Sequence, residues 1–106
     1  MKVTPQLERV LRTFLDDPGA QRYGYDLMKA ANLKSGTLYP LLARLETQKL
    51  VTSAWETPKH VGERPRRYYQ LTSDGIRVAG LELAQLSVTH QGAKAPGIRT
   101  APETAR

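Results

Sequence analysis

The chain has no cysteine and only two histidines. Disulfides, thiol nucleophiles and thiolate metal sites are therefore excluded. Neither His60 nor His90 has a second ligand at metal-binding spacing, so no zinc site is expected. A glycine-rich phosphate loop, a Ser/His/Asp arrangement and a carboxylate pair suited to acid–base work are also missing, which argues against an enzyme. No cofactor is expected. No apolar run approaches the roughly 20 residues that span a bilayer, and the opening MKVTPQLERV lacks a signal-peptide core. Together these absences lead us to expect a soluble cytoplasmic protein. Acidic residues are scarce beside basic ones: 10 Asp and Glu against 16 Lys and Arg, a net charge of +6 over 106 residues. Such an excess on one small domain suits a polyanion, with a merely solvated basic surface as the competing reading.

What is present predicts mostly helices. Thr4 as N-cap, Pro5 at the first helical position and the stripe Leu7, Val10, Leu11, Phe14, Leu15 predict a helix over Thr4–Leu15. Asp16-Asp17-Pro18-Gly19 stops it. Tyr23–Ala31 reads as a short second helix with Leu27, Met28 and Ala31 on its apolar side, closed by a left-handed Asn32. The stretch SGTLYPLLARLE at 35–46 puts Leu38, Leu41, Leu42 and Leu45 on the core face of a third helix. With Ser35 or Thr37 as cap it starts nearby. If the cap is Thr37, Pro40 falls in the first turn, where N–H groups have no intrahelical partner anyway. Val51–Thr57, with Val51, Ser53 and Trp55 on one side, predicts a strand. So does Arg66–Thr72, with Tyr69 and Leu71 facing away from Tyr68. PKHVGERP between them makes an antiparallel hairpin. The last helix starts at Thr72 or Ser73, with Asp74 in its first turn.

The resulting fold class is mainly α with a small β-hairpin (α+β). Helices 2 and 3 form a helix-turn-helix and the hairpin makes it winged, in the order α1-α2-α3-β-wing-β-α4. We expect a DNA-binding domain over 1–72, a dimerisation helix over 73–91 and a disordered tail over 92–106. The second helix of such a motif enters the major groove of double-stranded DNA with its first residues at the base edges. The expected contacts there are Lys34, Ser35, Gly36, Thr37, Tyr39, Pro40 and Arg44. For Arg44 an ordinary solvated position competes equally. In the wing, Lys59, His60, Arg64, Arg66 and Arg67 face one acid, Glu63. The first four of these are expected on the phosphates or in the minor groove. A flexible solvated loop is the competing reading, and Arg66 has a structural one, pairing with Glu46 or Glu56. The aromatics Tyr23, Tyr25, Tyr68, Tyr69 and Trp55 fit core packing and cross-strand pairs better than a base-stacking platform.

These elements in order resemble the PadR family of transcriptional regulators. The resemblance rests on YGYDLMK at 23–29, SGTLYPLLARLE at 35–46, the pair Trp55-Glu56, RPRRYYQLTSDG at 64–75 and the helix that follows, spanning about residues 5–90. It implies a winged-helix regulator, in most members a homodimeric repressor, some of which respond to small aromatic or hydrophobic ligands; a small-molecule effector of unknown identity is thus an open expectation, with Trp55 lining its cavity at a dimer interface as a further reading. By position it implies that Thr37, Tyr39 and Pro40 open the DNA-facing helix. Arg66 and Tyr69 match the wing-strand signature, and Thr72 and Gly75 match the start of the last helix. Three departures stand out. The turn before Ser35 is short, Lys49 replaces a usual helix-ending glycine, and no further helical domain is expected after His90, which resembles the small subfamily with one C-terminal helix.

The spacing of Ile76, Ala79, Leu83, Leu86 and His90 is a heptad-type seam. It serves either the chain's own core or a second copy, and we expect Ile76, Ala79, Leu83 and Leu86 at a homodimer interface. A twofold dimer implies a pseudo-palindromic operator. The expected function is therefore a sequence-specific DNA-binding repressor. The alternative is a winged-helix protein-interaction module that does not bind DNA.

Overall fold

Thr4 begins the first helix as expected: its hydroxyl accepts the Leu7 N–H at 3.2 Å. Pro5 follows at N1, and α1 spans Pro5–Asp16. The computed structural model describes residues 2–94, and side chains to residue 88. Leu7, Val10, Leu11 and Phe14 are buried along one face of α1, the periodicity of an amphipathic helix against a core.

Tyr23 does not belong to the second helix. Arg22–Tyr23 is a short strand, β1, and α2 begins at Gly24 and ends at Ala31. The two strand residues pair antiparallel with Tyr69 and Tyr68, a distant partner that no local pattern announces. Asn32 closes α2 at φ 55°. The Leu33 N–H then reaches back to the Met28 carbonyl at 2.9 Å, and Leu33 packs on the core.

The third helix, α3, is Ser35–Thr47 and differs from expectation at its start. Neither Ser35 nor Thr37 caps it. Lys34 holds the N-cap position without a side-chain bond, and Pro40 lies inside the helix. The Gly36 carbonyl thus lacks the N–H that residue 40 would supply. Gly36 is exposed with open space around it, so solvent can serve that carbonyl. Leu38, Leu42 and Leu45 are buried and Leu41 partly so.

The exit of α3 shows how the chain manages without its glycine. Lys49 takes φ 62°. Its N–H bonds to the Glu46 carbonyl at 3.0 Å, and the Leu50 N–H to the Leu45 carbonyl at 2.9 Å. This is the Schellman closure, with buried Leu50 as its hydrophobic contact,. A left-handed non-glycine residue costs roughly 1–2 kcal/mol, and glycine's extra backbone entropy returns about half of that. Lys49→Gly is therefore expected to stabilise the fold by about 0.5–1 kcal/mol, read as a higher midpoint in thermal or urea unfolding.

Strands β2, Val51–Glu56, and β3, Arg66–Leu71, form the expected hairpin. Their register runs from Val51↔Leu71 to Glu56↔Arg66, and the sheet order is β1-β3-β2. Thr57 and Thr72 fall outside the strands. Thr72 instead joins three segments. Its N–H bonds to the Leu50 carbonyl at 3.0 Å, and its hydroxyl donates to the Lys49 carbonyl at 2.8 Å. The same hydroxyl accepts the Gly75 N–H at 2.9 Å. This opens the last helix, α4, Ser73–Lys94, which continues past the expected boundary at 91. The rest of the expected tail, from residue 95, lies outside the described residues.

The α4 seam is divided. Ala79 and Leu83 are 1% and 9% exposed, inside the chain's own core with α1 and α3. They are not the free surface the heptad spacing suggested, because α1 leaves part of the core for α4 to cover. Ile76 stays exposed and Leu86 partly so, and the His90 side chain lies outside the described ones. Among the described residues no helix is long and apolar enough to cross a membrane.

Candidate nucleic-acid interface

The first turn of α3 stands open. Lys34, Ser35, Gly36, Thr37, Tyr39, Pro40 and Arg44 are all exposed. The turn holds no acidic residue, whereas α1, α2 and α4 carry Glu8, Asp26 and Asp74 in theirs. With no side-chain cap at Lys34, the N–H groups of Ser35 and Gly36 have no protein acceptor among the described residues. Such a helix start attracts anions through its free N–H groups and dipole.

Tyr39 is less free than its neighbours. A Cβ built on Gly24 would overlap its hydroxyl oxygen and stand 3.0 Å from the ring carbon bearing it. The ring therefore leans on the first residue of α2 and ties the two helices of the motif together while its outer side meets solvent. Gly24 matters here because any side chain would push Tyr39 off α2.

Lys59, His60, Arg64 and Arg66 are exposed in the wing. The wing's acid, Glu63, turns inward on the tip: its carboxylate accepts the Lys59 N–H at 2.8 Å. Gly62 at φ 85° completes the reversal. Among the described residues, Lys34, Arg44, Lys59, Arg64 and Arg66 make no ion pair.

Strand alternation sorts the wing's arginines onto two faces. Tyr69 and Leu71 point into the core on the side of α3. Arg67, two residues before Tyr69, shares their face. Its guanidinium bonds to Ser53 Oγ at 2.7 Å and Glu46 Oε1 at 3.4 Å, and Ser53 Oγ donates to Glu46 Oε2 at 2.6 Å. Arg66 lies on the other face, with its guanidinium 3.7 Å from the centre of the Tyr23 ring. The Tyr23 hydroxyl in turn bonds to the Glu56 carboxylate. That bond, followed by desolvation, holds the Tyr23 phenol above its ordinary range. Of the two acids considered for Arg66, Glu46 belongs to Arg67 and Glu56 to the Tyr23 hydroxyl. The structural role expected for Arg66 is thus a stack on Tyr23 rather than an ion pair.

Two residues outside the expected set lie on the hairpin face that packs against α3: Arg67, which reaches Glu46 of α3, and its cross-strand partner Trp55. The signal for them was in the sequence. Period-two counting back from the inward Tyr69 reaches Arg67, and counting forward from Val51 through Ser53 reaches Trp55. Among the described residues, no group of three His, Asp or Glu side chains is placed to hold a metal ion.

The model of the PadR-like family of transcriptional regulators matches residues 14–80. None of the curated proteins matches the chain. Among solved structures, a PadR family transcriptional regulator from Eggerthella lenta is 34% identical, with a TM-score of 0.60 over 83% of this chain and 79% of its own. A PadR-like transcription factor from Bacteroides fragilis is 30% identical, with a TM-score of 0.65 over 83% of this chain and 86% of its own. A protein of Streptococcus mutans is 28% identical, with a TM-score of 0.69 over 94% of this chain and 97% of its own. The matched region begins in α1, takes in the open start of α3 and both faces of the wing, and ends in α4; the chain belongs to the PadR-like family of transcriptional regulators.

Proposed function

We propose that this protein is a dimeric, sequence-specific repressor acting in the cytoplasm on a pseudo-palindromic operator. In each protomer α3 lies in the major groove and Lys34, Ser35, Gly36, Thr37, Tyr39, Pro40 and Arg44 face the bases and flanking phosphates. Lys59, His60 and Arg64 lie along the backbone or in the adjacent minor groove. Arg66 reaches a phosphate only from its stack on Tyr23. The observation that carries this reading is the exposed, acid-free and uncapped first turn of α3. A module that only bound proteins would gain stability from an acid there and lose nothing. Repression follows from occupancy: a dimer on a promoter blocks polymerase.

Electrophoretic shift of a mixed-sequence duplex at low salt tests the reading. Binding is expected, and its logarithm should fall linearly with the logarithm of salt. Lys59→Ala and Arg64→Ala should each weaken specific and nonspecific binding alike and lower that slope by about one unit. Slopes equal to the parent's would remove the wing from the phosphates.

The dimer contact is proposed on α4. Beyond Ile76 and Leu86, its largest free apolar side chains are Leu81 and Val88, 56% and 66% exposed. With Ala84 and Gln85 they line an open groove of about 350 Å³. Leu81, Ala84 and Val88 recur at i, i+3 and i+7, so they share one stripe. Introducing Leu81→Glu and Val88→Glu together should yield single chains in solution scattering. It should also weaken operator binding about a hundredfold, because the half-sites are no longer linked.

A further inference from the structure

We propose that Trp55, braced by Arg67, is a DNA contact that joins the recognition helix to the wing. In this arrangement its indole lies on the sugar–phosphate backbone at the edge of the groove that α3 enters, and its Nε1–H donates to a phosphate oxygen. The proposal rests on the DNA-binding reading above and adds to it a residue and a mode of contact.

The inner face of the hairpin is covered near its base and bare further out. Val51, Leu71 and Tyr69 are buried, Ser53 is half-buried, and Trp55 is 66% exposed. The face on which α3 rests therefore continues past the helix and ends in a large aromatic side chain. Exposing an indole forgoes more burial than exposing any other side chain at that position would. Ala54 and Glu56, on the opposite face, carry no comparable apolar area. The Trp55 indole N–H makes no hydrogen bond among the described residues, so that donor is available.

Arg67 fixes the geometry. Its guanidinium lies 5.7 Å from the Trp55 ring and 5.6 Å from the Tyr69 ring. Ser53 and Glu46 hold it from the side of α3. The indole is thus backed by a cation that is itself tied to the recognition helix. Charge then selects the occupant. Arg67 shares the face of Trp55, and the loop just beyond carries Lys59 and Arg64, which make no ion pair among the described residues, so the surroundings of Trp55 are basic and suit a polyanion. A second copy of the same basic surface would repel it. A small aromatic ligand would find one exposed ring and no enclosing wall, because Ala54, Thr57 and Arg67 around it are themselves exposed,.

Trp55 is the chain's single tryptophan, so its fluorescence reports this contact directly. The wild-type protein would be titrated with a mixed-sequence duplex at low salt, with excitation at the red edge where tyrosine does not absorb. Emission should be quenched in step with the electrophoretic shift, and acrylamide access should fall in the complex. Trp55→Ala should weaken duplex binding about tenfold, and Trp55→Phe by less, because the phenyl ring keeps the packing and loses the N–H. A complete shift with unchanged emission and acrylamide access would overturn the Trp55 assignment and leave DNA binding standing. So would emission that responds to small aromatic acids and not to duplex. No shift at all would remove the DNA reading and this contact with it.

Discussion

Thr37→Glu should abolish DNA binding while leaving the fold as stable as the parent or more so. The two effects have opposite signs because the first turn of α3 serves two masters. For the isolated helix, an acid in that turn interacts favourably with the dipole, typically by about 0.3–1 kcal/mol. Glu8, Asp26 and Asp74 stand at such positions in the other three helices. A Ser or Asp at the N-cap is worth about 1 kcal/mol more, and α3 has Lys34 there instead. The start of α2 is also uncapped, at Tyr23, but keeps Asp26; α3 forgoes both the acid and the cap, which makes sense if a phosphate or base edge completes it. A carboxylate at residue 37 would sit against that anion. Like charges brought together at an interface cost several kcal/mol, so a loss of about a hundredfold or more is expected. Thr37→Ala separates charge from contact and should lose much less. Duplex binding and thermal melting of the same preparations give both readouts. Unchanged binding by Thr37→Glu would show that the start of α3 does not face DNA.

Gly75→Ala should destabilise the fold by about 3 kcal/mol through overpacking. Gly75 is buried in the first turn of α4. A Cβ there would overlap the Leu50 carbonyl oxygen, stand 2.9 Å from that carbonyl's carbon and 3.1 Å from Leu71 Cδ2. The Leu50 carbonyl cannot retreat without losing the Thr72 N–H it accepts at 3.0 Å. The Thr72 hydroxyl also holds Lys49 and Gly75 together. One methyl group thus meets backbone on one side and a hydrogen-bonded joint on the other. Urea unfolding monitored by circular dichroism would measure the loss. A change under about 1 kcal/mol, within the range of ordinary surface substitutions, would mean that the α4 start yields easily. Because Gly75 sets how α4 leaves the domain, a partly folded variant should also dimerise poorly.

Several elements were legible from local pattern because local physics decides them. Thr4 and Pro5 fix the start of α1, Asn32 the end of α2, and the alternation of Tyr68, Tyr69 and Leu71 the two faces of β3. Where reading failed, the decision lay elsewhere. β1 exists only because Tyr68 and Tyr69 offer it a distant partner. The start of α3 was misplaced because Ser35 and Thr37 are good caps, and a helix built for stability alone would use one of them. Pro40 followed from that error: it interrupts the ladder beside exposed Gly36 rather than opening the helix. The heptad spacing of Ile76, Ala79, Leu83 and Leu86 reports an apolar stripe but not what covers it, and α1 took Ala79 and Leu83. The arginine beside α3 was off by one residue, Arg67 for Arg66. The alternation of Tyr69 and Leu71, carried two residues further back, reaches Arg67 and not Arg66.

The arrangement of two α3 helices on one duplex is tested most directly by dimethyl sulfate footprinting on a fragment selected from genomic DNA. Guanine N7 lies in the major groove. Two patches of N7 protection related by a twofold, roughly one helical turn or about 34–36 Å apart, are expected, and Thr37→Glu should erase both. A single patch, protection confined to adenine N3 in the minor groove, or a footprint that survives Thr37→Glu would contradict it.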